Sequence, residues 1–394
     1  MGKTDFALKQ IEELRRANLY RRLVRIDTAQ GTTVKIEGKE KVLFCSNNYL
    51  GLANHPTVIQ VVTEAMKKYG HGAGASRLLS GTMRQHIELE KAMAGFLEKE
   101  SALVFPSGWM ANEAVIRTLP GKGDLLLLDK FDHASIIDAA KSCDAKFRTY
   151  RRDRLGRLEK YLASKEYKRK FIITESIFSM DGETADIEAL VEMREKYNAF
   201  LILDEAHAFG CTGTKGAGLA EKLGLLNKVD AIVVTMSKAL GSSGGVVAAD
   251  GCICELLINK ARPFIYTTAP TVATCATAMA ALEIVKKEPE RRRRLKQNAD
   301  YLRKKINRLG LHTSGSITHI IPVIIGSEKI ALDVARALYE QGFFIPAIRP
   351  PTVSAGTARL RISVQSEHTK EQLYGLADAL KRIIVKGILP ISSS

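Results

Sequence analysis

Leu201-Ile202-Leu203-Asp204-Glu205-Ala206-His207 decides the reading of this chain: three apolar residues run straight into two carboxylates and, three residues past the first, an imidazole. Two further segments have the same form. Phe171-Ile172-Ile173-Thr174 is followed by Glu175, Ser176 and Ser179, and Ile232-Val233-Val234 by Thr235, Ser237 and Lys238. Leu125 to Leu128 is another compact apolar run, and helical patterns such as Ile187 to Tyr197 lie between several of them. Unbroken apolar strands separated by helices predict a mostly parallel sheet covered on both faces, an α/β fold. Ligands of such sheets bind beyond the carboxyl ends of the strands, where the polar residues just named stand.

Working outward, the first 25 residues read as an amphipathic helix, with Phe6, Ile11, Leu14 and Leu19 near helical spacing among Arg15, Arg16, Arg21 and Arg22. Thr33 to Glu37 and Val42 to Cys45 read as strands around a Gly38-Lys39-Glu40 turn. Helices are predicted from His55-Pro56 to Lys68 and from Gln85 to Lys99, a strand from Ala102 to Phe105, and a helix near Trp109 capped by Ser107. Past about residue 285 the pattern becomes helix 290–309, strand 320–325, helix 331–341, strand 360–364 and helix 370–385. These predict an N-terminal arm over 1–50, a large α/β domain over 51–285 and a smaller α+β domain over 286–394. The tail Ile391-Ser392-Ser393-Ser394 is expected to fray.

Among 394 residues, 59 are Lys or Arg and 43 Asp or Glu, a net charge of +16, while hydrophobic residues make up 45%. That balance is globular rather than disordered. No uninterrupted apolar run approaches the roughly 18–20 residues of a membrane span, so no membrane partner is expected. The basic run Arg291 to Arg294 sits beside Glu288 and Glu290 and reads as a solvated helix face, with no aromatic interleaving to suggest nucleic acid. The positive field favours anionic substrates. Six scattered cysteines, of which only Cys252 and Cys254 are close, read as reduced, buried small residues and not as a metal site. With Asp5, Glu12 and Glu13 and no apolar leader at the N-terminus, the protein is expected in the cytoplasm.

One chemistry uses a hydroxyl, a carboxylate, an imidazole and an amine on one rim. Pyridoxal 5'-phosphate (PLP) forms a Schiff base with a lysine, and a carboxylate pairs with its pyridine nitrogen. At contact distance and an effective dielectric near 20 that pair is worth up to about 4 kcal/mol, or roughly three pH units of the nitrogen's protonation. Lys238 and Asp204 fill these roles, with His207 placed for the ring hydroxyl. Gly241, Gly244 and Gly245 would let backbone approach the cofactor. Ser107-Gly108-Trp109 opens a helix whose first N–H groups suit a phosphate, and His133 is placed to stack on the ring.

Several of these stretches also carry a resemblance. Asp204-Glu205-Ala206-His207 and Thr235-Met236-Ser237-Lys238-Ala239-Leu240-Gly241-Ser242-Ser243-Gly244-Gly245 resemble the signature of the α-oxoamine synthases, fold-type-I PLP enzymes that condense an amino acid with an acyl-CoA. Ser46-Asn47-Asn48-Tyr49-Leu50-Gly51-Leu52, Gly72-Ala73-Gly74-Ala75-Ser76-Arg77, Ser107 to Asn112, Asp132 to Ser135 and Gly356 to Arg361 extend it over nearly the whole chain. The resemblance implies that Lys238 carries the cofactor, Asp204 meets its nitrogen, His207 and Ser179 meet its ring oxygen, and His133 stacks on it. It further implies that Gly108, Trp109 and Thr235 hold the phosphate, and that Arg361 binds the amino-acid carboxylate. Asn47, Arg21 and Thr352 would contact substrate, and Arg349 the far end of the acyl chain. Family members are homodimers, which would let Thr267 and Thr268 reach the partner's cofactor phosphate. Trp109 departs from the Phe or Tyr of relatives. An aminotransferase of the same fold type, or a basic binding protein without catalysis, are the competing readings.

Overall fold

The computed structural model describes residues 2–390, so the expectation for the tail lies outside the described residues. Strands run β1 Thr33–Ile36, β2 Lys39–Leu43, β3 Ser101–Phe105, β4 Leu125–Asp129, β5 Lys146–Tyr150, β6 Lys170–Glu175, β7 Phe200–Asp204, β8 Ala231–Thr235 and β9 Gly245–Ala249. The remaining four are β10 Ile320–Gly326, β11 Phe343–Phe344, β12 Ala347–Ile348 and β13 Ala358–Ser363. The chain divides into two compact units: residues 47–179 with 184–293, and residues 1–46 with 180–183 and 294–394. The stretch read as a separate arm thus groups, through residue 46, with the C-terminal residues.

The larger unit is built on a seven-stranded sheet in the order β3-β9-β8-β7-β6-β4-β5. The pairs β5–β4, β4–β6, β6–β7 and β7–β8 are parallel, and β9 is antiparallel to both β8 and β3. All five residues of β4, of β8 and of β9 are buried, as expected of strands covered on both faces. The core includes Phe105, Val115, Leu126, Ile173, Ile202, Val233, Val247 and Phe264. Two strands of this sheet escaped the sequence reading, as did the two-residue β11 and β12 of the smaller unit. β9, Gly-Val-Val-Ala-Ala, is short, and three of its five residues are alanine or glycine. β5, Lys-Phe-Arg-Thr-Tyr, has no unbroken apolar run because it is the sheet's edge, where a charged residue blocks further pairing.

Local chemistry explains where the structure departs from expectation. The first helix spans only Asp5–Arg16 and buries none of its residues. It ends because Asn18 turns left-handed at φ 56°, a conformation its short polar side chain tolerates, and Leu19 N–H closes back on Leu14 O at 2.8 Å. Arg21 and Arg22 therefore lie beyond it. The first hairpin turns on Glu37 and Gly38, at φ 51° and 76°, not on Gly38-Lys39-Glu40; two positive φ values in a two-residue loop match the strand twist.

The basic run corrects the solvated-face reading for two residues. Arg292 is buried, and its guanidinium donates to Val285 O and Thr214 O, both at 2.6 Å, the first in the last turn of helix Val272–Lys287 and the second in the loop after β7. Arg291 donates to Leu50 O at 3.1 Å and pairs with Glu288. Among the cysteines, all six are free thiols; Cys254 and Cys275 are buried but Cys252 is exposed. Among the described residues no helix is long and apolar enough to cross a membrane.

In the smaller unit, β10-β13-β12 and β1-β2-β11 form two three-stranded sheets. His368 stacks on Phe44 with centroids 4.1 Å apart. Its Nδ1 accepts from Gln365 N–H at 2.9 Å, so Nε2 carries the hydrogen toward Leu43 O at 3.1 Å. Burial lowers its pKa from 6.5 to about 4. A depressed folded-state pKa means stability that is present above the unfolded value and lost as pH falls toward the folded one, here about 3 kcal/mol between pH 6.5 and 4. Urea titrations at stepped pH should show that loss, and His368→Gln, whose amide can keep both bonds without titrating, should flatten the slope in this window. An equal slope in the variant would remove His368 as its source.

Candidate active site

At the carboxyl end of β7, Asp204 is buried to 4% exposure. A carboxylate there requires donors, and it has them: Asn112 Nδ2 donates to Oδ2 at 2.7 Å and Ala206 N–H to Oδ1 at 2.9 Å. Asn112 stands one helical turn past Gly108 in helix Gly108–Thr118, and its amide also donates to Ser135 Oγ at 3.1 Å. Ser135 N–H in turn donates to His133 Nδ1 at 3.2 Å, and its hydroxyl lies 2.8 Å from the same nitrogen. A hydrogen-bonded line therefore runs from His133 through Ser135 and Asn112 to Asp204. Asn112 was quoted in the sequence without a role; its placement one turn after the phosphate-type helix start was the available signal.

Past β8, Lys238 Nζ lies 2.9 Å from His207 Nε2. His207 is itself buried. The charges of Asp204 and Lys238 both act on His133 and on Glu175, so residues at or just past the ends of four parallel strands, β4, β6, β7 and β8, share one electrostatic neighbourhood. His133 is more than a third exposed, yet desolvation still pushes its pKa down; Asp204 opposes and Lys238 reinforces that shift. Trp109 is 44% exposed and meets the His133 ring edge-on, centroids 5.9 Å apart. Ser179 is buried after β6.

The helix beginning at Gly108 is capped as expected, Ser107 Oγ accepting from Met110 N–H at 3.1 Å. The amides of Gly108 and Trp109, at its first turn, have no intrahelical acceptor and suit an anion. Thr235 sits against this turn: a Cβ added to Gly108 would lie 3.2 Å from Thr235 Cβ. The Thr235 hydroxyl donates to Gly244 O at 3.0 Å and lies 2.8 Å from Ser237 Oγ. The glycines after Lys238 are also required by packing within the protein. A Cβ on Gly241 would fall 2.3 Å from Ala53 N and one on Gly245 2.6 Å from Gly108 Cα, so these glycines admit neighbouring backbone. Asn47 accepts from the Tyr49 hydroxyl at 2.9 Å. Thr268 is exposed and bridges to Ser76, and Thr267 is half-buried beside it.

Four expected residues belong to the smaller unit. Arg361 in β13 is buried and donates to Ser363 Oγ at 2.7 Å. Arg21 donates to Pro350 O at 2.9 Å, while Arg349 donates to Asn18 O and Tyr20 O, so each arginine holds backbone next to the other. Arg349 is buried, and desolvation followed by the charge of Arg21 lowers its pKa. Thr352 is exposed, its N–H donating to Arg349 O at 3.1 Å.

A PLP molecule needs an acid for its nitrogen, an amine for its aldehyde and N–H groups for its phosphate. The buried acid Asp204, the amine Lys238 and the open helix turn at Gly108 match that donor set. Glu175 adds a carboxyl whose Oε2 has no hydrogen-bond partner among the described residues. It lies opposite Asp204 in the β6–β7 register. Burial first, then the Asp204 charge, push its pKa up from 4.5 to about 8. Its raised folded-state value means that the stability it contributes is present below the usual carboxylate range and lost as pH rises through about 8. Cofactor-free protein at pH 7 should show the infrared band of a protonated carboxyl that disappears near pH 8 and is missing in Glu175→Gln; a band unaffected by the substitution would place the proton elsewhere.

Comparison with known proteins agrees with this geometry. The aminotransferase class I and II family model matches residues 39–380. The 8-amino-7-oxononanoate synthase of Geobacter sulfurreducens is 42% identical over 377 residues, covering 95% of this chain and 96% of that protein. Among solved structures, the serine palmitoyltransferase of Sphingomonas wittichii superposes with a TM-score of 0.93 at 30% identity, over 99% of both chains. A high-resolution structure of SPT with PLP gives 0.92 at 30% identity, over 98% of this chain and 99% of that one. With a fold of type I, a family match across most of its length and relatives of this likeness, the chain belongs to the aminotransferase class I and II family and, within it, to the α-oxoamine synthases.

Proposed function

We propose that this protein is a PLP-dependent acyltransferase that joins L-alanine to pimeloyl-CoA, releasing CoA and carbon dioxide and forming 8-amino-7-oxononanoate, a step of biotin synthesis. The observation that carries the reading is the meeting of Lys238 Nζ with His207 above a buried, hydrogen-bonded Asp204, the two charges being felt together at His133 and Glu175. The curated relative at 42% identity supports the choice of substrates. So do Ala347 to Val353 and Gly356 to Arg361, with His71 to Glu90, which resemble the 8-amino-7-oxononanoate synthases within the family.

When bound, PLP supplies an electron-accepting ring that stabilises negative charge at the amino acid's α-carbon. The chain's residues do the rest. Lys238 provides the amine for covalent attachment and, once displaced, takes the α-proton at Nζ as general base. Asp204 holds its negative charge against the ring nitrogen, and the Asn112 and Ala206 N–H groups hold Asp204. His207 and Ser179 meet the ring oxygen, and His133 covers the ring. Gly108 and Trp109 offer amides to the phosphate with the hydroxyl of Thr235, while Thr267 and Thr268 serve the partner's phosphate in a homodimer. Arg361, buried and fixed by Ser363, binds the amino-acid carboxylate through its planar fork. Asn47, Arg21 and Thr352 contact substrate. Arg349 brings positive charge to the distal carboxylate, in competition with its bonds to the 18–20 backbone. Six free thiols support a cytoplasmic setting.

Protein purified with PLP should be yellow, and borohydride should fix the cofactor to Lys238. Lys238→Ala should abolish both the adduct and turnover. Retained adduct in that variant would move the attachment elsewhere. In a matrix of alanine, glycine and serine against pimeloyl-, acetyl-, succinyl- and palmitoyl-CoA, alanine with pimeloyl-CoA should give the highest kcat/KM. A higher value for glycine with acetyl-CoA, or for serine with palmitoyl-CoA, would reassign the substrates. Conversion of PLP to pyridoxamine phosphate by a keto acid would instead mark an aminotransferase.

A further inference from the structure

Tyr49 is fully buried at the start of the larger unit, and none of the roles above falls to it. Its hydroxyl lies 2.7 Å from His207 Nδ1 and 2.9 Å from Asn47 Oδ1. The other imidazole nitrogen, Nε2, lies 2.9 Å from Lys238 Nζ. Lys238, His207, Tyr49 and Asn47 thus form a continuous line of polar atoms.

The direction of the hydrogens along this line follows from counting them. A phenol has one hydrogen and an amide oxygen can only accept, so the Tyr49 hydrogen points at Asn47. The phenol oxygen can then only accept from His207, which requires the ring hydrogen on Nδ1. That leaves Nε2 with a lone pair facing the lysine, the arrangement an ammonium needs.

We propose that Tyr49 is a positioning residue that holds His207 in its Nδ1–H tautomer, with Asn47 orienting the phenol. The Nε2 lone pair thereby becomes a fixed acceptor for the Lys238 amine. The kinetic part of this inference rests on the proposed role of Lys238 as the cofactor-bearing amine; the tautomer itself does not. Sequence reading had no access to it, because Tyr49 and His207 are 158 positions apart and only the packing of residues 47–52 against the β7 loop brings them together.

The test is nitrogen NMR of the full-length protein with ¹⁵N-labelled histidine, first without added cofactor and then with PLP, the ring signals of His207 being identified by their loss in His207→Asn. In the cofactor-free wild type the hydrogen is expected on Nδ1. Tyr49→Phe, which keeps the ring and removes the hydroxyl, should let the imidazole average between its two tautomers. Asn47→Ala removes the acceptor that orients the phenol, so its hydrogen is free to turn to Nδ1 and the share of the Nε2–H tautomer should rise above that of the wild type. In turnover assays Tyr49→Phe should lower kcat roughly tenfold with little change in KM, the pattern of a misdirected group and not of lost binding. A wild-type ring with its hydrogen on Nε2, or a Tyr49→Phe spectrum identical to wild type, would overturn the proposal. Should Tyr49→Phe fail to fold, the Asn47→Ala spectrum decides alone, an unchanged tautomer counting against the proposal. Loss of borohydride trapping at Lys238 would sink the cofactor reading and leave the tautomer result standing.

Discussion

A carboxylate buried at the end of a central strand is the constraint on which the rest of the site depends. Removing an ion from water costs several kcal/mol unless donors and an opposite charge meet it. Asp204 meets both conditions: two N–H groups reach its oxygens, and Lys238 brings a positive charge into the same region. Burial first, and then the Asp204 charge, disfavour a second negative charge on its neighbour. Glu175, opposite it in the register, is raised to about 8 and remains a neutral acid at physiological pH. The line from His133 through Ser135 and Asn112 carries the same requirement outward, each polar group having a partner that itself is held.

The sheet supplies the geometry. Parallel pairing of β6, β7 and β8 delivers three consecutive strand ends, and so Glu175, Asp204 and the Lys238 turn, to one rim. The antiparallel β9 closes the other flank, and its first residue, Gly245, presses on Gly108 so closely that no side chain fits between them. That contact packs the start of the phosphate-type helix against the strand that follows Lys238. Glycines after the lysine therefore belong to the packing of the protein itself, and the open N–H groups they help to place are what an anion would find.

Arginine has two uses here that charge counting merges. Arg292 and Arg291 spend their guanidinium groups on backbone carbonyls, as do Arg21 and Arg349 in the smaller unit. Arg361 is buried and donates to the Ser363 hydroxyl, and its positive charge partly offsets the burial that raises the Cys45 thiol. Net charge describes the first group poorly, since those cations act as hydrogen-bond donors within the fold.

Chain order was enough to specify the α/β alternation, the strands β4, β6, β7 and β8, the helix cap at Ser107 and the set Asp204, His207 and Lys238. Each of these is a local matter of apolar period or of a polar residue just past a strand. The hairpin turn, the end of the first helix and the edge strand β5 were misread or missed, because a left-handed Asn18, a left-handed Glu37 and an edge position leave little trace in hydrophobic pattern. Other features have no local signature at all. Asn112 on Asp204, Tyr49 on His207 and Glu175 beside Asp204 are pairs separated by 29 to 158 positions, and only the folded sheet makes them neighbours. The residue types of the chemistry are therefore written in the primary structure, whereas protonation and tautomer belong to the tertiary fold, because both depend on burial and on partners contributed by distant strands.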